Sequence, residues 1–283
     1  MFTQLTAHKV AKPWGRDDLA PPFVNSGDTA SEHIGELWYQ SDNTNSNDPI
    51  LIKYLFTSQK LSVQVHPDDA AARDQGHRSG KAECWYIVDA APDAALGLGL
   101  KEEISAGELR EASLSGTIEH MIDWKPTKAG DIWYVEPGTI HAIGPGVTLI
   151  EVQQNIDLTY RLYDYGRPRE LHLDQAIAVA TRAPYAMTNH GSYNRNEPLI
   201  RHWPHFGIAL CDDENQVQEL ASTMATDSYW VAIQGDAQLD EQTLNHGQVY
   251  RRRAHTPLKH AELDDATCML LAWPRTIDGG DTL

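Results

Sequence analysis

The sequence predicts a mainly β protein, a sandwich or a barrel. Two observations carry this. Short runs rich in Val, Ile, Tyr and Trp follow one another at 50–56, 61–66, 83–89, 132–135 and 148–153. Gly, Pro and Asp separate them, which is the punctuation of many short strands. Two stretches break the pattern. Residues 101–123 (KEEISAGELREASLSGTIEHMID) read as one or two short helices inserted among strands, and 173–180 (LDQAIAVA) as another helix with Asp174 near its start. The polar segment 40–48 (QSDNTNSND) reads as a loop. A boundary is expected within 184–198, where Asn189, Gly191, Ser192, Asn194 and Asn196 cluster. Strand-like runs resume at 208–211, 229–233 and 267–272. The expected organisation is thus a first domain over 1–185, carrying the helical insertion, and a smaller β domain over 186–283.

The bulk numbers exclude several classes. With 283 residues there is enough chain for two ordinary domains or one large one. No run approaches the ~18 apolar residues of a membrane span. The start, MFTQLTAHKVAKPWGRDD, has no apolar core of a secretory signal. The net charge of −17 argues against nucleic acid, which wants a basic face. The one dense basic cluster is Arg251-Arg252-Arg253. An anion pocket in such a chain must be made of a few specific Lys and Arg residues. Cys84, Cys211 and Cys268 form no C-x-x-C pair, so no disulfide framework is expected and a reducing cytoplasm fits.

Chemistry concentrates in three pieces. In Leu61-Ser-Val-Gln-Val-His-Pro67 the strand alternation puts Ser62, Gln64 and His66 on one face. An ordinary solvent-exposed strand would look the same. Gln64 and His66, at i and i+2, are also close enough to share one metal ion. In Gly80-Lys-Ala-Glu-Cys-Trp-Tyr-Ile-Val88, Lys81, Glu83 and Trp85 share a face. A neighbouring Lys and Glu are usually a solvated pair; inside a barrel they become a metal ligand beside a substrate-binding cation. In Gly130-Asp-Ile-Trp-Tyr-Val-Glu-Pro-Gly-Thr-Ile-His141 a histidine follows a Pro-Gly turn. Its spacing from Gly130 and Gly138 matches the second cupin motif, although Pro137 stands directly before Gly138.

The strings LSVQVHPDD, GKAECWYIVDA, PGTIHAIG and EVQQNIDLTYRLYDYGRPRELHL resemble the type I mannose-6-phosphate isomerases, the short bacterial form in particular. The resemblance is close over about 49–173, looser at Lys12-Pro13-Trp14-Gly15, and weak beyond about 185. It implies two cupin-type jelly-roll β-barrels, the second without metal. It implies one zinc ion per chain on Gln64, His66, Glu83 and His141, a set of imidazole, carboxylate and amide donors without cysteine that suits a catalytic site with an open position. It also implies interconversion of mannose 6-phosphate and fructose 6-phosphate through an enediol. Arg161 is then catalytic, with Lys81 and Glu151 as candidates to move protons. Ser62, Lys81, Arg161 and Trp14 are the candidate substrate contacts, Trp14 reading equally as core. The partner is a small sugar phosphate, in a monomer or homodimer. A cupin isomerase for another sugar and a non-catalytic sugar-binding cupin are the rival readings. His77, His120, His172, His205, His255 and His260 fall outside the matched positions and read as surface or hydrogen-bonded residues.

Overall fold

A computed structural model describes all residues except 20, 24–32, 43–46, 196 and 276–283. Part of the expected loop at 40–48 and Asn196 of the expected boundary lie outside the described residues. The molecule is mainly β, built from four antiparallel sheets stacked in layers. The sheets stay separate and form no closed barrel.

The central sheet has seven strands. Across it lie His190–Ser192, Asp131–Val135, Glu83–Ala90, Val147–Gln154, Ile50–Phe56, Ile34–Gln40 and Thr6–Arg16. Ile50–Phe56 is buried at every position, which explains its nearly unbroken apolar sequence. Its alternate residues serve two different cores. Ile50, Ile52, Tyr54 and Phe56 pack with Phe206, Ile208, Leu210 and Tyr229 of a six-stranded sheet. Leu55 faces the other way, with Trp85, Leu149, Leu96 and Leu98. That second side is covered by a five-stranded sheet, in the order Tyr160–Tyr163, Val63–Val65, His141–Ile143, Ala95–Leu100 and Ile122–Pro126. The space between these two sheets holds the site described below.

The outer face of the five-stranded sheet is capped by helices Ala106–Ser115, Ile118–Met121 and Leu173–Val179, through Leu109, Ala112, Ile118 and Ala176. The first begins with a reciprocal box, Ser105 accepting from the Glu108 N–H while the Glu108 carboxylate accepts from the Ser105 N–H. It stops at Gly116, whose φ of +82° suits the left-handed turn that ends a helix. The helical insertion expected over 101–123 is therefore present.

On the far side, the six-stranded sheet runs Phe2–Gln4, Val249–Arg252, Ser228–Gln234, Cys268–Pro274, Phe206–Cys211 and Leu199–His202. Its outer face meets helix Glu214–Thr223 and the small sheet of Gln242–Leu244, Ala237–Leu239 and Ala261–Leu263. Two strands cross over between the halves of the chain. Phe2–Gln4 pairs with Val249–Arg252, and His190–Ser192 pairs with Asp131–Val135. Phe206 is fully buried where the two large sheets meet. Its replacement by alanine is expected to cost about 3–5 kcal/mol through lost burial and a cavity. Chemical denaturation checks the value, and metal content should be unaffected.

Candidate metal centre and active site

Three short pieces of strand and turn deliver the donor atoms. Pro67, which has no N–H to give, follows His66 directly after the strand Val63–Val65. His141 stands directly opposite Gln64 in the antiparallel pairing, so their side chains rise on the same face. Gly138 makes the turn before His141 possible. Its φ is +89°, and a Cβ there would come within 3.0 Å of Val179 O and Thr181 Oγ1. Glu83 opens the first central strand of the facing sheet.

His66 Nε2 lies 3.1 Å from Glu83 Oε1, and His141 Nε2 lies 3.8 Å from Glu83 Oε2. The two imidazole rings are 4.8 Å apart. The Gln64 amide reaches within 3.2 Å of His141 Nε2. Ligands at tetrahedral zinc distances are separated by about 3.4 Å, so this spacing is that of a coordination shell. The second ring nitrogens are fixed from behind. His66 Nδ1 bonds Leu158 O and His141 Nδ1 bonds Thr139 O, both at 2.8 Å. A carbonyl accepts only, so each ring donates from Nδ1 and turns the Nε2 lone pair inward. Among the described residues, His66 Nε2 and Glu83 Oε2 are buried without a hydrogen-bond partner, and Glu83 Oε1 is met by the Lys81 ammonium alone. Orphaned buried acceptors of this kind are rare and costly. A cation on His66, Glu83 and His141 satisfies all of them, and the Gln64 amide, whose nitrogen faces His141 while its carbonyl accepts from Ser62, can turn its carbonyl inward as a fourth ligand. The residues present therefore fit a divalent metal ion. Among the described residues no other set of three such groups converges.

Electrostatics agree. Burial pushes His66 down to about 3, with Lys81 nearby adding to the effect, and burial lowers His141 too. Both are neutral, the form that binds metal. Burial raises Glu83, but Lys81 and then His66 outweigh it and hold the carboxyl well below its usual range. Lys81 Nζ is 2.9 Å from Glu83 Oε1; burial opposes its charge, and Glu83 followed by Glu151 restores and raises it. Glu151 is raised, by burial first and by Glu83 second. A pH dependence follows. A histidine lowered by folding stabilises the protein fully above its unfolded value near 6.5, and loses that contribution as pH falls toward about 3. Thermal melts of the chelated protein should therefore show stability falling from about pH 6.5 to pH 4.5, by about 1.4 kcal/mol per pH unit for His66, with His141 acting in the same direction.

Of the four donors, Gln64 lines a polar cleft of about 210 Å³, and His66, Glu83 and His141 are buried behind it. Ser62, Gln64, Lys81, Glu151, Arg161 and Trp14 all line it, so every expected substrate-side residue meets there. Trp14 is at once core and wall, buried yet lining the cleft. Arg161 sits opposite Gln64 on the other edge of the Val63–Val65 strand, whereas Glu151 belongs to the facing sheet. Their convergence is tertiary, not a shared strand face. The Arg161 guanidinium gives Nη1 to Glu170 O at 2.7 Å, and its Nε is buried without a partner. Among the described residues no carboxylate forms an ion pair with it; burial, then Arg169, disfavours its charge. Lys81, by contrast, is already committed to Glu83.

Sequence reasoning did not single out Lys12, Glu36, Trp38, Lys53, Asp157, Thr159 or Arg169, which also line the cleft. One signal was available. Lys53 is the single charged residue in ILIKYLF, and a lysine is seldom buried unless paired. Lys53 Nζ meets Glu151 Oε1 at 3.2 Å.

Fold and donor set together define a metal-binding protein of the cupin type. No family model matches the chain. The chain is 37% identical over 218 residues to the mannose-6-phosphate isomerase of Streptococcus mutans, covering 64% of this chain and 67% of that one. It is 44% identical over 138 residues to the mannose-6-phosphate isomerase ManA of Bacillus subtilis, spanning less than half of either chain. The crystal structure of the mannose 6-phosphate isomerase from Bacillus subtilis superposes with a TM-score of 0.71 at 25% identity, over 95% of this chain and 98% of that one. A zinc-bound mannose 6-phosphate isomerase structure has the same fold, with a TM-score of 0.67 at 15% identity over 97% of this chain and 99% of that one. The chain belongs to the mannose-6-phosphate isomerase family.

Proposed function

We propose that this chain interconverts mannose 6-phosphate and fructose 6-phosphate, with one zinc ion on Gln64, His66, Glu83 and His141. The observation that carries the reading is the convergence of buried metal donors beside a cleft lined by Gln64, Lys81 and Arg161. Zinc bound there supplies Lewis acidity toward the sugar oxygens. The reaction moves a proton from C2 of the open-chain aldose to C1 through an enediol. Glu151, buried in the cleft wall with its affinity for a proton raised by burial and by Glu83, is the proposed proton carrier. Lys81 is a poor base because it is held charged, and it serves instead to neutralise Glu83. Arg161 offers an uncommitted positive charge to the developing enediolate or to the phosphate. The Glu83–Lys81 and Glu151–Lys53 pairs are each neutral, so a bound dication and Arg161 leave the cleft positive within a chain of net charge −17. That suits a dianionic ligand. The part over 186–283 acts as a metal-free partner whose sheet backs the central one.

No helix of the described residues is long and apolar enough to cross a membrane. The three cysteines are buried and unpaired, which suits action in the cytoplasm. The test is a coupled isomerase assay on purified protein, with mannose 6-phosphate and free mannose compared at equal concentration. Turnover of the phosphate ester alone is expected. Equal turnover of both, or of neither, sinks the reading.

A further inference from the structure

A continuous line of contacts runs from the edge strand of the central sheet to a metal-site histidine. It begins at Lys12, whose Nζ lies 3.4 Å from Glu36 Oε1. Glu36 Oε2 accepts the indole N–H of Trp38. The Trp38 ring carries the Lys53 ammonium, 4.5 Å from its centroid. Lys53 meets Glu151 at 3.2 Å, and the second Glu151 oxygen accepts from Trp85 Nε1 at 3.1 Å. The Trp85 ring stands edge-on to His141, with centroids 5.5 Å apart. Register explains the line. Trp38, Lys53, Glu151 and Trp85 lie opposite one another on four adjacent strands, and Glu36 is one same-face position along.

Glu36 is the joint of this line. It is buried, and it holds two of the line's members at once. An indole held by its N–H cannot swing out of the sheet face. A lysine on a fixed ring has fewer positions to sample than one in open solvent, and cation–π attraction adds to its restraint. Building on the isomerase reading above, we propose that Glu36 is a positioning residue of this centre. Through Trp38 it keeps Lys53 against Glu151, and so keeps Glu151 aimed at the cleft.

The test uses the full-length, zinc-loaded chain and steady-state kinetics with mannose 6-phosphate. Glu36→Ala is expected to lower kcat about tenfold, with KM changed less than twofold and zinc content unchanged. Glu36→Gln keeps an acceptor for the Trp38 N–H and is expected to recover most of that loss. In a Lys53→Met background, Glu36→Ala should cause no further loss, because its effect passes through Lys53. Wild-type kcat in Glu36→Ala, a loss confined to KM, or an undiminished tenfold loss in the Lys53→Met background would each overturn the proposal. Should Glu36→Ala fail to fold, Trp38→Phe keeps a smaller aromatic face and removes the N–H. The same loss in kcat is expected of it, and wild-type kcat overturns the proposal. A wild-type chain inactive on mannose 6-phosphate fails the isomerase reading and this inference with it; an active wild type with an indifferent Glu36 fails this inference alone.

Discussion

Replacing Arg161 by alanine is expected to lower turnover of mannose 6-phosphate by about a hundred- to a thousandfold while leaving zinc content unchanged, the usual cost of removing one preorganised donor from a developing oxyanion. The physical case rests on three features. Arg161 lies opposite Gln64 and is not one of the His, Glu and Gln side chains that would hold the metal. Its charge is disfavoured by burial and by Arg169, and among the described residues no carboxylate neutralises it. A guanidinium kept in that condition gains most when an anion arrives. Metal analysis beside the kinetics separates the two roles. Loss of zinc in Arg161→Ala would make it a structural residue, and retained activity would remove it from the reaction.

Stripping the metal should abolish activity, and adding one equivalent of zinc per chain should restore it. Among the described residues, chelation leaves His66 Nε2 and Glu83 Oε2 without a partner and Lys81 as the one cation on the buried Glu83 carboxylate. The chelated chain should also melt at a lower temperature, because a ligand that binds only the folded form stabilises it by mass action. Glu83→Gln is the matching substitution. It removes the one anionic donor and leaves Lys81 buried without its partner, a situation that costs about 3–5 kcal/mol. Full activity after exhaustive chelation would remove the metal from the mechanism. Restoration by cobalt or manganese but not zinc would change the ion, since this donor set accepts several.

The strands legible in the sequence were those with strong local character. Ile50–Phe56 was delimited at both ends, because seven apolar or β-favouring residues lie between turn-forming segments. The runs at 83–89 and 148–153 lie within the observed Glu83–Ala90 and Val147–Gln154. Helix Asp69–Asp74 was not anticipated. It follows a Pro in a stretch dense with aspartate, and its start depends on Asp68 accepting from the Ala71 N–H. Helix Glu214–Thr223 was also missed, since only Val217, Leu220 and Ala221 face the core and the remainder is polar.

The site divides along the same line. Residue type and strand parity made Gln64, His66 and Glu83 candidates, motif spacing added His141, and the resemblance to the isomerase family joined the four into one ligand set. The meeting of Glu151 and Arg161 is not local. The chain leaves the central sheet after Gln154 and re-enters the opposite one at Tyr160, so the two groups meet across a cleft. Lys53, Glu36 and Trp38 were invisible as site residues for a related reason. Their meaning comes from which strands lie side by side, and hydrogen-bonded neighbours in the central sheet are up to about a hundred residues apart in sequence. Local sequence determined the donors and the strands. Pairing order and the stacking of two sheets, set by long-range burial that no local window contains, decided what those donors face.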